Sequence, residues 1–595
     1  MQGHYSGRMS LVDITEKRNS AAASGGRPGL TRSTGFRKIP GVAEMRDSAM
    51  NAVGATNNGL SSPLAIALTI NLISIGYLSL PYAFASAGML LSTIGFFLVM
   101  LQAYITAGYV LETCARASML VDMMEKLEEK LVGQQHQQNM ALEESTIETK
   151  RQLLEILDED GWDEDDGSSP VAPKRGTCGS MSKKSAPSLR NLLISSELGG
   201  NNEEEQVDTP LHKVTDGFKA ELPELCRMFL GKRIALFFVG TLSLDLYGLT
   251  WSYASIFASG LADMLPITKA SNADTDYYIY IGIFAAVVVP MSCMNLSDQV
   301  LVQLVFLVTR MVMVLLMVFS VAASWVSDEP HFDEYIGPAK GVPLFHFPSV
   351  FLLLGTSIFS CSYQFAVPGI TDAVANKDSV LMKVFGSTCL FIFATVLVCS
   401  LVLSAYFGVE QIKTSSNLNW VAYHGGTGNA IVNDNGTTSR TDVAIWARGI
   451  AGFVTIFPAL DSLAVYPLCT ISLGEILMDA WYGKNVPPDM LDGWKRRMIF
   501  RFLGSCPQLL GAMFVSDLSV IASYAGIFTI LSYIVCPSLL SISSKKALRA
   551  VNVPEATHYG TPFSSDRIAW IIFTLAWLLI AWVILNSVLA NRGLI

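Results

Sequence analysis

Apolar runs of transmembrane length recur along this chain, and they decide what it can fold into. Each matches the roughly 20 apolar residues that a helix needs to cross a ~30 Å hydrocarbon layer. The pattern predicts spans at about 62–86, 90–114, 234–262, 276–294, 299–326, 346–370, 384–408, 442–474, 498–515, 517–541 and 568–590. An open strand in lipid leaves backbone groups unpaired, and no segment alternates as a barrel strand would, so the spans are helices. The expected fold is an all-α polytopic membrane protein of eleven transmembrane helices. Composition agrees: 15% of the 595 residues are charged, against about 25% in soluble domains.

The net charge of −9 has a local source. Residues 116–232 hold 14 Lys+Arg against 23 Asp+Glu, which is the imbalance of the whole chain. The chain therefore divides into a polar tail (1–60, expected to be disordered and cytoplasmic), helices 1 and 2 (61–115), an acidic cytoplasmic insert (116–232) and helices 3 to 11 (233–595). Within the insert, residues 118–157 have apolar positions at helical spacing, which would extend the second span into the cytoplasm. The acidic run from Asp158 to Asp166 and the Ser/Pro/Lys stretch 168–190 have the composition of disorder. The insert is either a solvated spacer or the docking site of a cytoplasmic partner. Nothing in the charge pattern points to nucleic acid.

Orientation follows from Lys and Arg. The tail carries eight, and loops 371–383, 475–501 and 542–567 carry eleven, against four in 263–275, 327–345 and 409–441. The N-terminus is thus expected in the cytoplasm and the C-terminus outside it. The sequon at Asn435-Gly436-Thr437 falls in an exoplasmic loop, as glycosylation requires. A second match at Asn295 falls on the cytoplasmic side. No cysteine falls in an exoplasmic loop, so no disulfide is expected there. Residues 1–60 lack the apolar core of a cleavable signal.

Two spans carry helix-breaking residues. The first contains Asn71, Ser74, Ile75, Gly76, Tyr77, Ser79, Pro81 and Tyr82. Proline there removes a backbone donor and crowds the preceding turn. The sixth reads Gly355-Thr356-Ser357-Ile358-Phe359-Ser360-Cys361-Ser362-Tyr363-Gln364, with Pro368-Gly369 following. Either is compatible with a simple kink. Together, five helices apart, they match the interrupted helices of an inverted-repeat transporter, whose half-helix ends present bare N–H and C=O groups.

These motifs resemble the amino acid/auxin permeases, and among them the sodium-coupled neutral amino acid transporter branch. The first span of that family reads like GTGILSLPYAF, against Ser74-Ile75-Gly76-Tyr77-Leu78-Ser79-Leu80-Pro81-Tyr82-Ala83-Phe84 here. Similar stretches are Gly248–Tyr253, Phe359–Gln364 with Asp372 and Lys383, and Ser516–Gly526 with Pro537–Leu540. The resemblance spans about 60–114 and 230–590. It implies a five-plus-five inverted repeat with broken first and sixth helices and an eleventh helix appended. It also implies an amino acid bound between Ser74, Ile75, Gly76 and Tyr77 on one side and Phe359, Ser360 and Cys361 on the other, with Tyr253 closing over its carboxylate.

Asp245, Arg310 and Asp461 lie inside predicted spans, and Arg448 lies nearer an end. A charge in lipid costs at least a few kcal/mol, so each should face the interior with a partner. Arg310 and Asp461 fall at similar depths. By the resemblance, the region of Asn71, Asp461 and Ser462 is where a coupling sodium would bind. Either the Arg310 guanidinium replaces sodium beside Asp461, or Asp461 ligates sodium while Arg310 pairs elsewhere, with Asp245 as the candidate. A proton is the other candidate coupling ion, although a salt-bridged carboxylate stays ionised. A purely structural ion pair is the third possibility.

The resulting expectation is a secondary active transporter of amino acids working by alternating access in a plasma, vacuolar or lysosomal membrane. It is not expected to be an enzyme or to hold a metal cofactor. No phosphate-cradling GxxxxGK[ST] loop marks a pump. The rival readings are an amino acid-sensing receptor signalling through the insert, and a channel, which would need a charged ring or carbonyl filter.

Overall fold

The computed structural model describes residues 66, 76–135, 212–214, 220–267, 273–293, 300–327, 330–333, 342–374, 377–432, 438–482 and 494–591. The tail, the greater part of the insert, Asn71, Ser74, Ile75, Asn295 and Asn435 lie outside these residues.

Among them, the chain forms helices α1 (Gly76–Ala87), α2 (Met89–Gln135), α3 (Leu222–Met264), α4 (Ala273–Ser292) and α5 (Val300–Val326). These are followed by α6 (Val350–Ser360), α7 (Val367–Ala373), α8 (Lys377–Gln411), α9 (Ile445–Tyr482), α10 (Trp494–Ser505) and α11 (Pro507–Phe514). The last are α12 (Leu518–Ile530), a π-helical turn (Leu531–Val535), α13 (Cys536–Ala550) and α14 (Asp566–Asn591). Nine helical stretches among the described residues are long and apolar enough to cross a membrane, counting α6–α7 and α12–α13 as one each. The protein is polytopic and helical. One departure is a small antiparallel hairpin, β1 (Asn429–Val432) with β2 (Thr438–Thr441), between α8 and α9.

Helix lengths differ from the apolar runs where local chemistry intervenes. α2 continues to Gln135, well past its apolar run. α3 begins at Leu222, with Pro223 in its first turn and a kink at Gly231 (φ 78°). Leu225 and Cys226 are buried there, so a polar stretch of sequence conceals an amphipathic turn that packs inside. The run 498–515 is two helices, because Pro507 starts a new one after Ser505.

Two features place the site. Gly88 alone joins α1 to α2, at φ 96°, a conformation glycine adopts without steric cost. The segment before α6 is laced to this junction by backbone bonds: His346 N–H donates to Ala87 O at 2.8 Å and Met89 N–H to Pro343 O at 3.1 Å. This ties the start of α6 to α1. Small residues then let α12 fit between α3 and α6. A Cβ on Gly248 would lie 2.6 Å from Ala525 Cβ, and one on Gly526 would lie 3.1 Å from the Gly355 carbonyl oxygen. Close backbone approach through small residues is how membrane helices associate.

Candidate functional site

The sixth span is broken, as its sequence indicates. α6 ends at Ser360, and Cys361 N–H reaches Ser357 O at 3.0 Å and Ile358 O at 3.3 Å. A turn at 361–363 and a short 3₁₀ segment, Gln364–Ala366, lead into α7, which has a proline in its first turn. The break is braced on both sides. Gln364 accepts from Tyr363 N–H at 2.9 Å and donates to Thr106 Oγ1 of α2 at 3.0 Å. The Tyr363 hydroxyl meets Cys389 Sγ of α8 at 3.1 Å.

The inner wall of the break is unsatisfied. The hydroxyls of Thr356, Ser357 and Ser360 are buried and have no hydrogen-bond partner among the described residues. Such orphans are rare in folded proteins and each calls for an explanation. Phe359 and Cys361 are buried with them. Of the backbone groups expected to bind ligand, Phe359 O already accepts from Ser362 Oγ at 2.9 Å.

On the facing side, Pro81 lies within α1 rather than at a break. Its carbonyl accepts from Ser404 Oγ at 2.7 Å, so α8 stabilises the kinked turn. Tyr77 is buried, with its hydroxyl 2.8 Å from Thr395 Oγ1 and its carbonyl accepting from Ser416 Oγ at 3.2 Å. Gly76 begins the described part of α1, and Tyr253 is buried in α3.

Arg310 of α5 and Asp461 of α9 are paired. Nε and one terminal nitrogen both donate to Asp461 Oδ2, at 3.2 and 2.7 Å, and both side chains are buried. Asp461 Oδ1 is buried with no hydrogen-bond partner among the described residues. The alternative pairing of Arg310 with Asp245 does not occur. Asp245 instead accepts from Thr529 Oγ1 and from the Tyr533 hydroxyl, the latter at 2.7 Å. Ser462 donates to Pro458 O at 2.8 Å, its own helix's preceding turn.

A second buried ion pair escaped the sequence reading. Arg116 and Glu112 of α2 lie at 2.6 Å with side chains 2% and 1% exposed. Arg116 also donates to Ser544 Oγ of α13 at 3.1 Å and to Glu555 O at 3.3 Å, and Ser564 bonds Glu112. The i,i+4 spacing was the available signal. It was obscured because the pair straddles the boundary between an apolar run and the acidic insert.

No family model matches the chain. The chain is similar to Transmembrane protein 104 homolog of Dictyostelium discoideum, at 23% identity over 512 residues, covering 82% of this chain and 89% of that one. It is a multi-pass integral membrane protein. Solved structures similar to it include a manganese transporter of Eremococcus coleocola in a single-residue mutant form (TM-score 0.42, 11% identity, 89% of this chain and 88% of that one). The same transporter with an aromatic bis-isothiourea substituted compound gives 0.38 at 11% identity, over 88% of this chain and 94% of that one. The manganese is a property of those proteins.

The resemblance to the amino acid/auxin permeases and their sodium-coupled branch is thereby corrected. No family model of that kind matches, and the similar curated protein is of another description. The physical reason lies in the motifs themselves. Gly, Ser and Pro at mid-span are what any interrupted membrane helix needs, so short strings of them recur without common family.

Proposed function

We propose that this chain is a secondary active transporter carrying small zwitterionic solutes, amino acids foremost, by alternating access around the broken helix α6–α7. The observation that carries this reading is the unwound turn at 361–363 within a transmembrane stretch, beside the buried hydroxyls of Ser357 and Ser360, which have no partner among the described residues. Non-helical backbone at membrane depth persists where it is enclosed by protein or lines a cavity. The C-terminal end of α6 offers carbonyls and the start of the 364–373 segment offers N–H groups. Opposite partial charges side by side suit a molecule that carries an ammonium and a carboxylate on neighbouring atoms. Because Thr356, Ser357 and Ser360 are buried, the conformation described is a closed one.

In this reading α1 and the α10–α11 pair count as spans beside the other nine, giving eleven. The first span, of which α1 is the described part, and the broken sixth span are then counterparts in a five-plus-five inverted repeat. The Arg310–Asp461 pair supports transport without sodium at that position, since the guanidinium already supplies the positive charge facing Asp461.

Counterflow in proteoliposomes tests the reading without assuming a driving ion. Liposomes loaded with one unlabelled amino acid should transiently accumulate the same labelled one through the purified protein, and Ser360→Ala should weaken its half-saturation. Binding without exchange would instead support a receptor signalling through the insert. No binding of any amino acid by folded protein would exclude this cargo class.

A further inference from the structure

Asp245 lies in α3, 3% exposed, at a point that the ion-pair chemistry above does not use. Two hydroxyls bond to it: Thr529 of α12 and Tyr533 of the π-helical turn. One turn further along, Ser532 and Thr241 bond only to neutral groups, with Ser532 donating to Thr241 at 3.1 Å. Among the described residues no charged group from α2, α4, α9, α11, α12 or α13 reaches the carboxyl. An ionised carboxylate at membrane depth with no cation beside it costs at least a few kcal/mol.

The two hydroxyls bonded to the carboxyl are neutral and supply no compensating charge. The Tyr533 hydroxyl gives its one proton to Asp245 Oδ2. Thr529 Oγ1 lies against two acceptors, Asp245 Oδ1 and Ala525 O (2.9 Å), and also has one proton to give. Ala525 O already accepts the Thr529 backbone N–H within α12, so the Thr529 hydroxyl can either give its proton to the carboxyl or accept one from it. A proton on Asp245 Oδ1 removes the buried charge and keeps every contact: Asp245 donates to Thr529, Thr529 donates to Ala525 O, and Tyr533 donates to Oδ2. We infer that Asp245 is a proton-binding site, occupied by a proton in this conformation.

The surroundings give the site a way to open and a link to the broken helix. Tyr533 stands on the π-helical turn, a local feature that recurs at functional positions in helices. One turn from the Asp245–Thr529 bond, α12 contacts α3 through Gly248 and Ala525, and it contacts α6 through Gly526 and Gly355. The same helix thus holds the acid and flanks the break. When α12 parts from α3, the Thr529 contact opens, water reaches Oδ1, the proton leaves to that water and the negative charge stays on Asp245. That proton drives cargo only if the carrier reading holds; its binding does not depend on that reading.

Infrared difference spectroscopy on the full-length protein in lipid at neutral pH tests the inference. The probe is the wild-type spectrum minus that of Asp245→Asn, whose neutral amide can replace the acid's hydrogen bonds. A protonated carboxyl C=O band that shifts in D2O and vanishes in Asp245→Asn, with thermal unfolding unchanged, is the expected result. Thr529→Val should shift the band by removing its hydrogen-bond acceptor. Absence of any such band would show Asp245 ionised and overturn the inference. So would loss of the band on adding sodium, which would make the site a metal-cation site. A band that behaves as expected in a protein that carries no cargo under any gradient would retain the proton site and reject the carrier reading.

Discussion

Arg310 places two nitrogens on a single oxygen of Asp461, 151 residues away in sequence, and the other carboxylate oxygen is buried with no partner among the described residues. Removing one member strands a buried charge, which costs about 3–5 kcal/mol, whereas replacing both with apolar groups is often neutral. Arg310→Met and Asp461→Leu should each lower the unfolding temperature in detergent sharply. The double variant should recover most of that loss. Additive losses would show that the pair is not one unit.

The hydroxyls at the break predict the opposite pattern. Ser357 and Ser360 have no partner among the described residues to lose, and an orphaned buried polar group costs about 1–3 kcal/mol. Ser357→Ala and Ser360→Ala should therefore unfold at or above the wild-type temperature. Half-saturation for cargo should rise in the same variants. Destabilisation by either would show that the hydroxyls serve the fold instead.

Helix spacing is testable at Gly248. Alanine there would bring its Cβ to 2.6 Å from Ala525 Cβ, and overpacking of this kind costs about 1–3 kcal/mol. Ala525→Gly in the same chain should restore stability, because it removes the atom in conflict. Failure of that rescue would mean the strain lies elsewhere.

The Glu112–Arg116 pair should act as a clasp between α2, α13 and the 551–565 segment. Arg116→Met leaves Glu112 uncompensated, with an expected loss of about 3–5 kcal/mol in thermal unfolding. Protease sensitivity should increase first in the 551–565 segment. Equal cleavage in both proteins would argue against the clasp.

Much of the fold was legible because lipid imposes a single demand, long apolar helices, that composition reports directly. The break in the sixth span was legible too, since Ser357 to Ser362 and Pro368 are local signals. The proline of the first span left a kink and a break both open, and within the described residues Pro81 sits inside a helix, its carbonyl bonded by Ser404 of α8. Pairing across the bundle was only half readable. Arg310 and Asp461 shared an apparent depth, but the partners of Asp245 are neutral hydroxyls 284 and 288 residues away, and hydroxyls are too common to single out. The family resemblance did not hold, because helix-breaking residues report a broken helix and not ancestry.

The most direct test of the central claim is uptake of a panel of radiolabelled amino acids into proteoliposomes, with sodium and proton gradients imposed separately. Saturable uptake that follows the proton gradient and ignores sodium is the predicted result. Uptake of no amino acid under either gradient, by protein shown to be folded, would contradict it.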